Sequence, residues 1–308
     1  MNLRAVFPPM PTPFADGDVD PAAIQHNIAR WMEAGLGGVL VLGTNGEAPL
    51  LDDHEADRVV EAARASVPRD RTLLVGIGRE STVSTIRAAR RAAELGADAV
   101  IARTPSLYRA QITPATLIAH YTAIADASRV PVLLYNYPAF TGVNLSPETI
   151  GKLAQHPNVA GVKETSTDGG QFAEMAALVP DRFTIMSGSA PGAYAALCAG
   201  ARGAILAVAC VAPGACIELM ELVRAGRFAD ALHVQQRFMS LARAVTSGFG
   251  IAGLKVALDL AGYKGGAPRP PLAPISRDGE EQIRALLAQL ARLGSFAPPD
   301  PLSRLRRA

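Results

Sequence analysis

The chain has 308 residues, 49% hydrophobic and 19% charged, with 28 Gly and 23 Pro, which excludes a disordered or fibrous protein and fits a compact one with many short turns. A formal net charge of +2, with no basic block except a terminal tail of Arg304, Arg306 and Arg307, argues against nucleic acid as a partner. The length exceeds the usual single-core size, yet barrels of alternating strands and helices reach it as one domain.

From the N-terminus to about residue 225, short apolar or β-branched runs alternate with Ala-rich segments of helical period. The strand candidates are 5–10, 38–42, 72–77, 99–102, 132–135, 159–163, 183–186 and 204–208. Helix starts are marked by Asp20 before Pro21, Asp52 before Asp53-His54-Glu55, Thr113 before Pro114 and Ser146 before Pro147-Glu148. In each, a side-chain oxygen is placed to cap the first turn, and Pro fits the first helical position because its missing N–H had no partner there.

Continuous-apolar strands separated by single helices require a parallel sheet covered by helices, and eight such units close into an α/β fold of the (β/α)8 barrel type. A doubly wound open sheet is the structural alternative, but no GxGxxG follows the first strand. Segments 214–225, 228–246, 251–260 and 277–293 read as successive helices, more than an eighth barrel helix needs. The expected organisation is a barrel over residues 1–225 with residues 226–308 as a C-terminal helical extension packed on it.

The opening segment lacks a basic region, apolar run and cleavage site, so no secretory signal is expected. The most apolar stretch, 203–223, is interrupted by Pro213, Gly214, Glu218 and Glu221, which speaks against a membrane span. Cys198, Cys210 and Cys216 show no metal spacing and are odd in number, so they read as buried thiols in a reducing cytoplasm. His26, His54, His120, His156 and His233 show no metal or triad spacing either.

In barrels of this type the catalytic groups come from the C-terminal ends of the strands. Those ends carry Gly43-Thr44-Asn45-Gly46-Glu47, then Thr104-Pro105-Ser106-Leu107-Tyr108, Tyr135-Asn136-Tyr137-Pro138, Lys163-Glu164-Thr165-Ser166 and Ser187-Gly188-Ser189. Lysine is rare here: only Lys152, Lys163, Lys255 and Lys264 occur, and the first and last two read as solvated. Lys163 ends an apolar strand, where lost hydration drives an amine towards its neutral, nucleophilic form. The plainer alternative is a rim cation paired with Glu164. Tyr135 ends the neighbouring strand, where a phenol could pass protons both ways or simply line the barrel. The glycines around Thr44 and Asn45 would allow a nest of N–H groups for a carboxylate, although by itself the loop reads more simply as a strand-to-helix turn.

Taken together and in order, Gly43-Thr44-Asn45-Gly46-Glu47, Tyr135-Asn136-Tyr137-Pro138-Ala139-Phe140-Thr141-Gly142, Gly161-Val162-Lys163-Glu164 and Ser187-Gly188-Ser189 resemble the dihydrodipicolinate synthase and N-acetylneuraminate lyase family of Schiff-base barrels. The resemblance implies Lys163 as the imine lysine and Tyr135 as the acid/base. It implies that Thr44 and Asn45 hold the pyruvate carboxylate, with the Thr44 hydroxyl linking Tyr135 to a second tyrosine, for which Tyr108 is the candidate. Gly188 and Ile205 would offer contacts near the lysine, with Phe140 and Thr165 completing the substrate-binding set.

Two departures bear on the subfamily. True synthases of the family carry Thr-Thr in the loop and an Arg before the Thr-Gly of the later segment, where this chain has Asn45 and Phe140. An apolar Phe cannot clamp a carboxylate. The GTNGE loop and Phe249-Gly250-Ile251-Ala252-Gly253-Leu254-Lys255 followed by Gly262-Tyr263 look like 4-hydroxy-2-oxoglutarate aldolases.

The resemblance therefore implies a class I aldolase that makes or breaks a 2-oxo acid into pyruvate and an aldehyde, from 4-hydroxy-2-oxoglutarate or a 2-keto-3-deoxy sugar acid. The alternatives are the synthase reaction of pyruvate with aspartate semialdehyde, a keto-deoxy sugar acid dehydratase, and a non-catalytic keto-acid-binding barrel. No metal or organic cofactor is expected. The family implies a cytoplasmic homotetramer of two tight dimers, with the second tyrosine donated across the dimer interface.

Overall fold

A computed structural model describes residues 1–292, so the arginine tail and Leu293, the last residue of the final expected helix, lie outside the described residues. In chain order the strands are β1 (Val6–Phe7), a hairpin of β2 (Phe14–Ala15) and β3 (Asp18–Val19), β4 (Gly38–Val41), β5 (Thr72–Gly76), β6 (Ala99–Arg103), β7 (Val132–Asn136), β8 (Val159–Glu164), β9 (Thr184–Ser187) and β10 (Gly203–Ile205). Eight of them form one parallel sheet in the order β1-β10-β9-β8-β7-β6-β5-β4. Met10 N donates to Leu40 O at 2.9 Å and Leu40 N to Pro8 O at 3.1 Å, which joins the two ends and closes the barrel.

The helices are α1 (Pro21–Glu33), α2 (Asp53–Ser66), α3 (Thr82–Glu94), α4 (Pro114–Ala127), the single-turn α5 (Pro138–Thr141), α6 (Pro147–Leu153), α7 (Gly169–Leu178), α8 (Ala193–Cys198) and α9 (Pro213–Arg224). All four capping residues read from the sequence are in place: Asp20 accepts from Ala23 N at 3.0 Å, Asp52 from Glu55 N at 2.8 Å, Thr113 from Thr116 N at 3.2 Å and Ser146 from Thr149 N at 3.3 Å. Asp52 and Glu55 complete a reciprocal capping box.

The strands read as unbroken apolar runs because both faces are covered. Phe7, Leu40, Leu74, Leu133, Met186 and Ile205 fill the barrel lumen. A larger apolar layer lies between barrel and helices, where fully buried Trp31 of α1 donates its indole N–H to Cys210 O at 2.9 Å. Truncating Trp31 to Ala would cost about 3–5 kcal/mol of that packing.

The expected surplus of helices is present as α10 (Phe228–Arg243), α11 (Gly250–Leu260) and α12 (Arg277–Arg292). A π-helical turn at Ala244–Gly248 ends α10. The structure departs from the sequence reading at both ends of the strand series. Strand β1 is shorter than expected, and Ala207–Cys210 forms a 3-10 turn rather than continuing β10. The β2–β3 hairpin went unforeseen although Asp16-Gly17, at φ 53° and 90°, is the turn pair that favours one. The cysteines are free, but Cys198 is exposed while Cys210 and Cys216 are buried as expected. No helix among the described residues is long and apolar enough to cross a membrane.

Candidate active site

The strand register brings the two leading candidates together: Tyr135 of β7 lies beside Lys163 of β8, and Asn136 beside Glu164. Side chains alternate faces along a strand, so the first pair points into the lumen and the second towards the helices. This pairing depends on a register shift. Val132 faces Val159 but Leu133 already faces Gly161, so Ala160 is passed over. Without that skipped residue the Tyr135 neighbour would be one position earlier, and the lysine would turn to the other face.

Lys163 is only 5% exposed, and its Nζ stands 4.1 Å from the centre of the Tyr135 ring. Glu164 is not its partner. That buried carboxylate faces outward and accepts from Asn136 Nδ2 at 2.7 Å, Gln171 Nε2 at 2.8 Å and Ser166 N at 2.7 Å. The simpler sequence reading, a rim ion pair, is thereby removed for Lys163. Gly188 is what makes room for it: an added Cβ would lie 3.0 Å from both Cε and Cγ of Lys163 and 2.9 Å from Thr165 Oγ1.

Thr44 is half-buried at the end of β4, with its hydroxyl 3.3 Å from the Tyr135 phenol. Asn45 beside it is also half-buried. The loop is fastened from below. Thr12 donates to Gly46 O at 2.7 Å, and Glu47, in the left-handed region at φ 55°, turns its carboxylate inward. There it meets Lys255 of α11 at 2.6 Å, both side chains fully buried, while its other oxygen accepts from Arg269 N at 2.7 Å. Lys255 is thus not solvated, as its helical context suggested. Removing one partner of such a pair strands a buried charge, at about 3–5 kcal/mol. Lys152 and Lys264 are exposed, as read.

The remaining sequence candidates divide. Ile205 is buried in the lumen wall, and Thr165 spends its hydroxyl on Asn136 O at 2.8 Å, which ties the ends of β7 and β8. Phe140 is 67% exposed and stacks on Tyr137, with ring centres 4.2 Å apart. Tyr108 is not brought to Thr44 within the chain. It stands 67% exposed in the loop after β6.

Tyr137, passed over in the sequence reading, stacks on Tyr135 at 6.0 Å and so bridges Phe140 to the lumen. Burial, and then the neighbouring Tyr135, push its phenol up to about 12, which keeps it a proton donor across the ordinary range. These rings line a mouth cavity of about 600 Å³ together with Thr44, Arg79 and Arg103. Arg103 is occupied by Glu80 at 2.8 Å. Burial alone would raise the Glu80 carboxyl, but the N–H groups of Ser106 and Leu107 and the Arg103 guanidinium outweigh it and bring it down to about 2.

A closed parallel barrel with a buried lysine, a phenol and a hydroxyl-bearing loop at the C-terminal ends of its strands has the architecture of a (β/α)8 enzyme. Residues 2–290 match the model of the dihydrodipicolinate synthetase family, and the chain belongs to that family and is a lyase. It is 35% identical over 279 residues to a 4-hydroxy-tetrahydrodipicolinate synthase of Exiguobacterium, covering 90% of this chain and 94% of that one. It is also 35% identical over 283 residues to a probable mitochondrial 4-hydroxy-2-oxoglutarate aldolase of Emericella nidulans, covering 90% and 91%. Among solved structures, the dihydrodipicolinate synthase of Thermotoga maritima superposes with a TM-score of 0.90 at 30% identity, over 94% of this chain and 99% of that one. Schiff-base chemistry on pyruvate is typical of this family.

Proposed function

We propose that the protein is a class I lyase of 2-oxo acids in which Lys163 forms the imine. The unprotonated Lys163 amine adds to the C2 carbonyl, and the Tyr135 phenol returns the proton that lets the carbinolamine lose water as a protonated imine. Breaking the C3–C4 bond sends its electrons into that imine to give an enamine, while a base takes the C4 hydroxyl proton and an aldehyde departs. Protonation at C3 and hydrolysis release pyruvate. Thr44 orients the phenol, and the Thr44–Asn45 turn supplies the carboxylate site, the kind of preorganisation that lowers a barrier without moving parts. The observation that carries this reading is a buried Lys163 Nζ at 4.1 Å from the Tyr135 ring centre, with no ion pair to any of the described residues.

For the second substrate, the relative from Exiguobacterium favours the synthase reaction, condensation of pyruvate with aspartate semialdehyde, which the sequence set second. One local observation favours aldol cleavage of 4-hydroxy-2-oxoglutarate or a keto-deoxy sugar acid: Phe140 stacks on Tyr137 where a carboxylate-clamping arginine is needed. In either case Tyr108 faces solvent within one chain, so the role given to it needs a partner subunit, in keeping with the homotetramer of two tight dimers that the family resemblance implies.

Borohydride added with pyruvate tests the common core. It should inactivate the enzyme and leave one covalent adduct, mapped to Lys163, and Lys163→Ala should abolish both. An adduct elsewhere, or none, overturns the reading. A panel of pyruvate with aspartate semialdehyde, 4-hydroxy-2-oxoglutarate and keto-deoxy sugar acids then separates synthase from aldolase.

A further inference from the structure

The loop that carries Thr44 and Asn45 is held from beneath by a charge supplied more than two hundred residues later. Lys255 Nζ lies 2.6 Å from Glu47 Oε1, donates to Ala267 O at 2.8 Å and sits 4.4 Å from the Phe14 ring centre. Glu47 is the residue at which the loop turns, at φ 55°, and its second oxygen is held by Arg269 N. Arg269 in turn bonds Glu55 at 2.6 Å and Leu50 O at 3.0 Å, so both ends of the short Ala48–Leu50 turn after the loop are tied to the segment behind α11. No water-exposed face remains on either member of the Glu47–Lys255 pair.

A buried pair is weak evidence for stability, since an apolar pair of similar volume often serves as well or better. What it does supply is direction: a carboxylate with one cation and one N–H to meet is fixed in a single orientation. Fixing Glu47 fixes the left-handed turn, and with it the Thr44 hydroxyl that lies 3.3 Å from Tyr135.

We infer that Lys255 is a positioning residue for the reaction, holding the Thr44–Asn45 turn against Tyr135 through the Glu47 carboxylate. The C-terminal helices are then part of the active site rather than an appendage. This rests on the Schiff-base reading above. Lys255 touches no substrate and forms no bond during turnover.

The test is a double-mutant cycle in the full chain with Lys255→Met, Glu47→Gln and both together. The readouts are pyruvate-dependent borohydride trapping, the KM and kcat of the active substrate, and the melting temperature. If Lys255 acts through Glu47, each single variant raises the pyruvate half-saturation by about tenfold or more, and the double variant is no worse than the poorer single. Trapping at saturating pyruvate still marks Lys163. Effects that multiply, or a folded Lys255→Met protein with unchanged half-saturation, overturn the inference. If a single variant fails to fold, the charge-free double variant decides: normal half-saturation there rejects the role. Absence of trapping in the unmodified protein would instead reject the Schiff-base reading, so the two failures are separate.

Discussion

Gly188 leaves the space that the stem of Lys163 fills: a Cβ placed there would stand 3.0 Å from both Cε and Cγ of the lysine. The backbone N–H of Gly188 is already committed to Glu164 O at 2.6 Å, so the strand cannot easily retreat. The lysine must give way instead. Gly188→Ala is expected to leave the fold intact and lower the rate of imine trapping by about a hundredfold, the scale of an ångström-sized displacement of a reacting group. Trapping at the normal rate would show that the lysine acts from a different position.

The 3.3 Å contact between Thr44 Oγ1 and the Tyr135 hydroxyl makes unequal demands on its two members. Tyr135→Phe removes the proposed proton carrier and should lower kcat by about 10²–10⁴. Thr44→Val removes only the group that aims it, and a loss of about 10- to 100-fold is expected, in line with about 1–3 kcal/mol for a buried partner left unmade. Steady-state kinetics on both variants checks the order; a Thr44→Val loss equal to that of Tyr135→Phe would make the threonine a proton carrier too.

Phe140 offers a gain-of-function experiment. Placing a guanidinium there by Phe140→Arg provides a bidentate partner for the carboxylate of aspartate semialdehyde. The ratio of synthase to aldolase turnover should rise by about tenfold, equivalent to about 1.4 kcal/mol. An unmoved ratio would mean that the second substrate does not reach the Tyr137–Phe140 stack.

Tyr108 should matter only in an assembly, because it is 67% exposed in the single chain. Tyr108→Phe is expected to lower kcat without altering the melting temperature, and activity should fall on dilution in step with dissociation seen by analytical ultracentrifugation. Full activity of a monomer would remove Tyr108 from the reaction.

Glu80 predicts a feature of acid stability. Its folded-state carboxyl lies at about 2, below the ordinary value of 4.5, because Ser106 N, Leu107 N and Arg103 favour the charged form. The stabilisation is therefore complete above about pH 4.5 and is lost as pH falls towards 2. Unfolding free energy measured across that window should fall less steeply in Glu80→Gln than in the parent. Partial exposure of this group keeps the effect small.

Much of the architecture was readable because burial on both faces writes itself into consecutive residues. Runs such as Val132–Tyr135 and Val159–Lys163 could only be central parallel strands, and Asp20, Asp52, Thr113 and Ser146 announced their helices by side-chain chemistry alone. Lys163 and Tyr135 were legible for the same local reason, as polar residues that end apolar strands.

Other features were not local. The passed-over Ala160 that turns Lys163 to the lumen is a property of how two strands pair, not of either strand's sequence. The Glu47–Lys255 pair joins a loop to a helix far along the chain, and a lysine amid helical residues looks the same whether it faces water or a buried carboxylate. Glu164 could have neutralised Lys163 until the fold gave it Asn136 and Gln171 instead. The sequence by itself determined the parallel barrel and the placing of Tyr135 and Lys163 at its strand ends, because hydrophobic period and helix capping act over a few residues. Which face each side chain took and which charge met which were decided by the tertiary structure, because strand register and buried ion pairing exist only between segments that folding brings together.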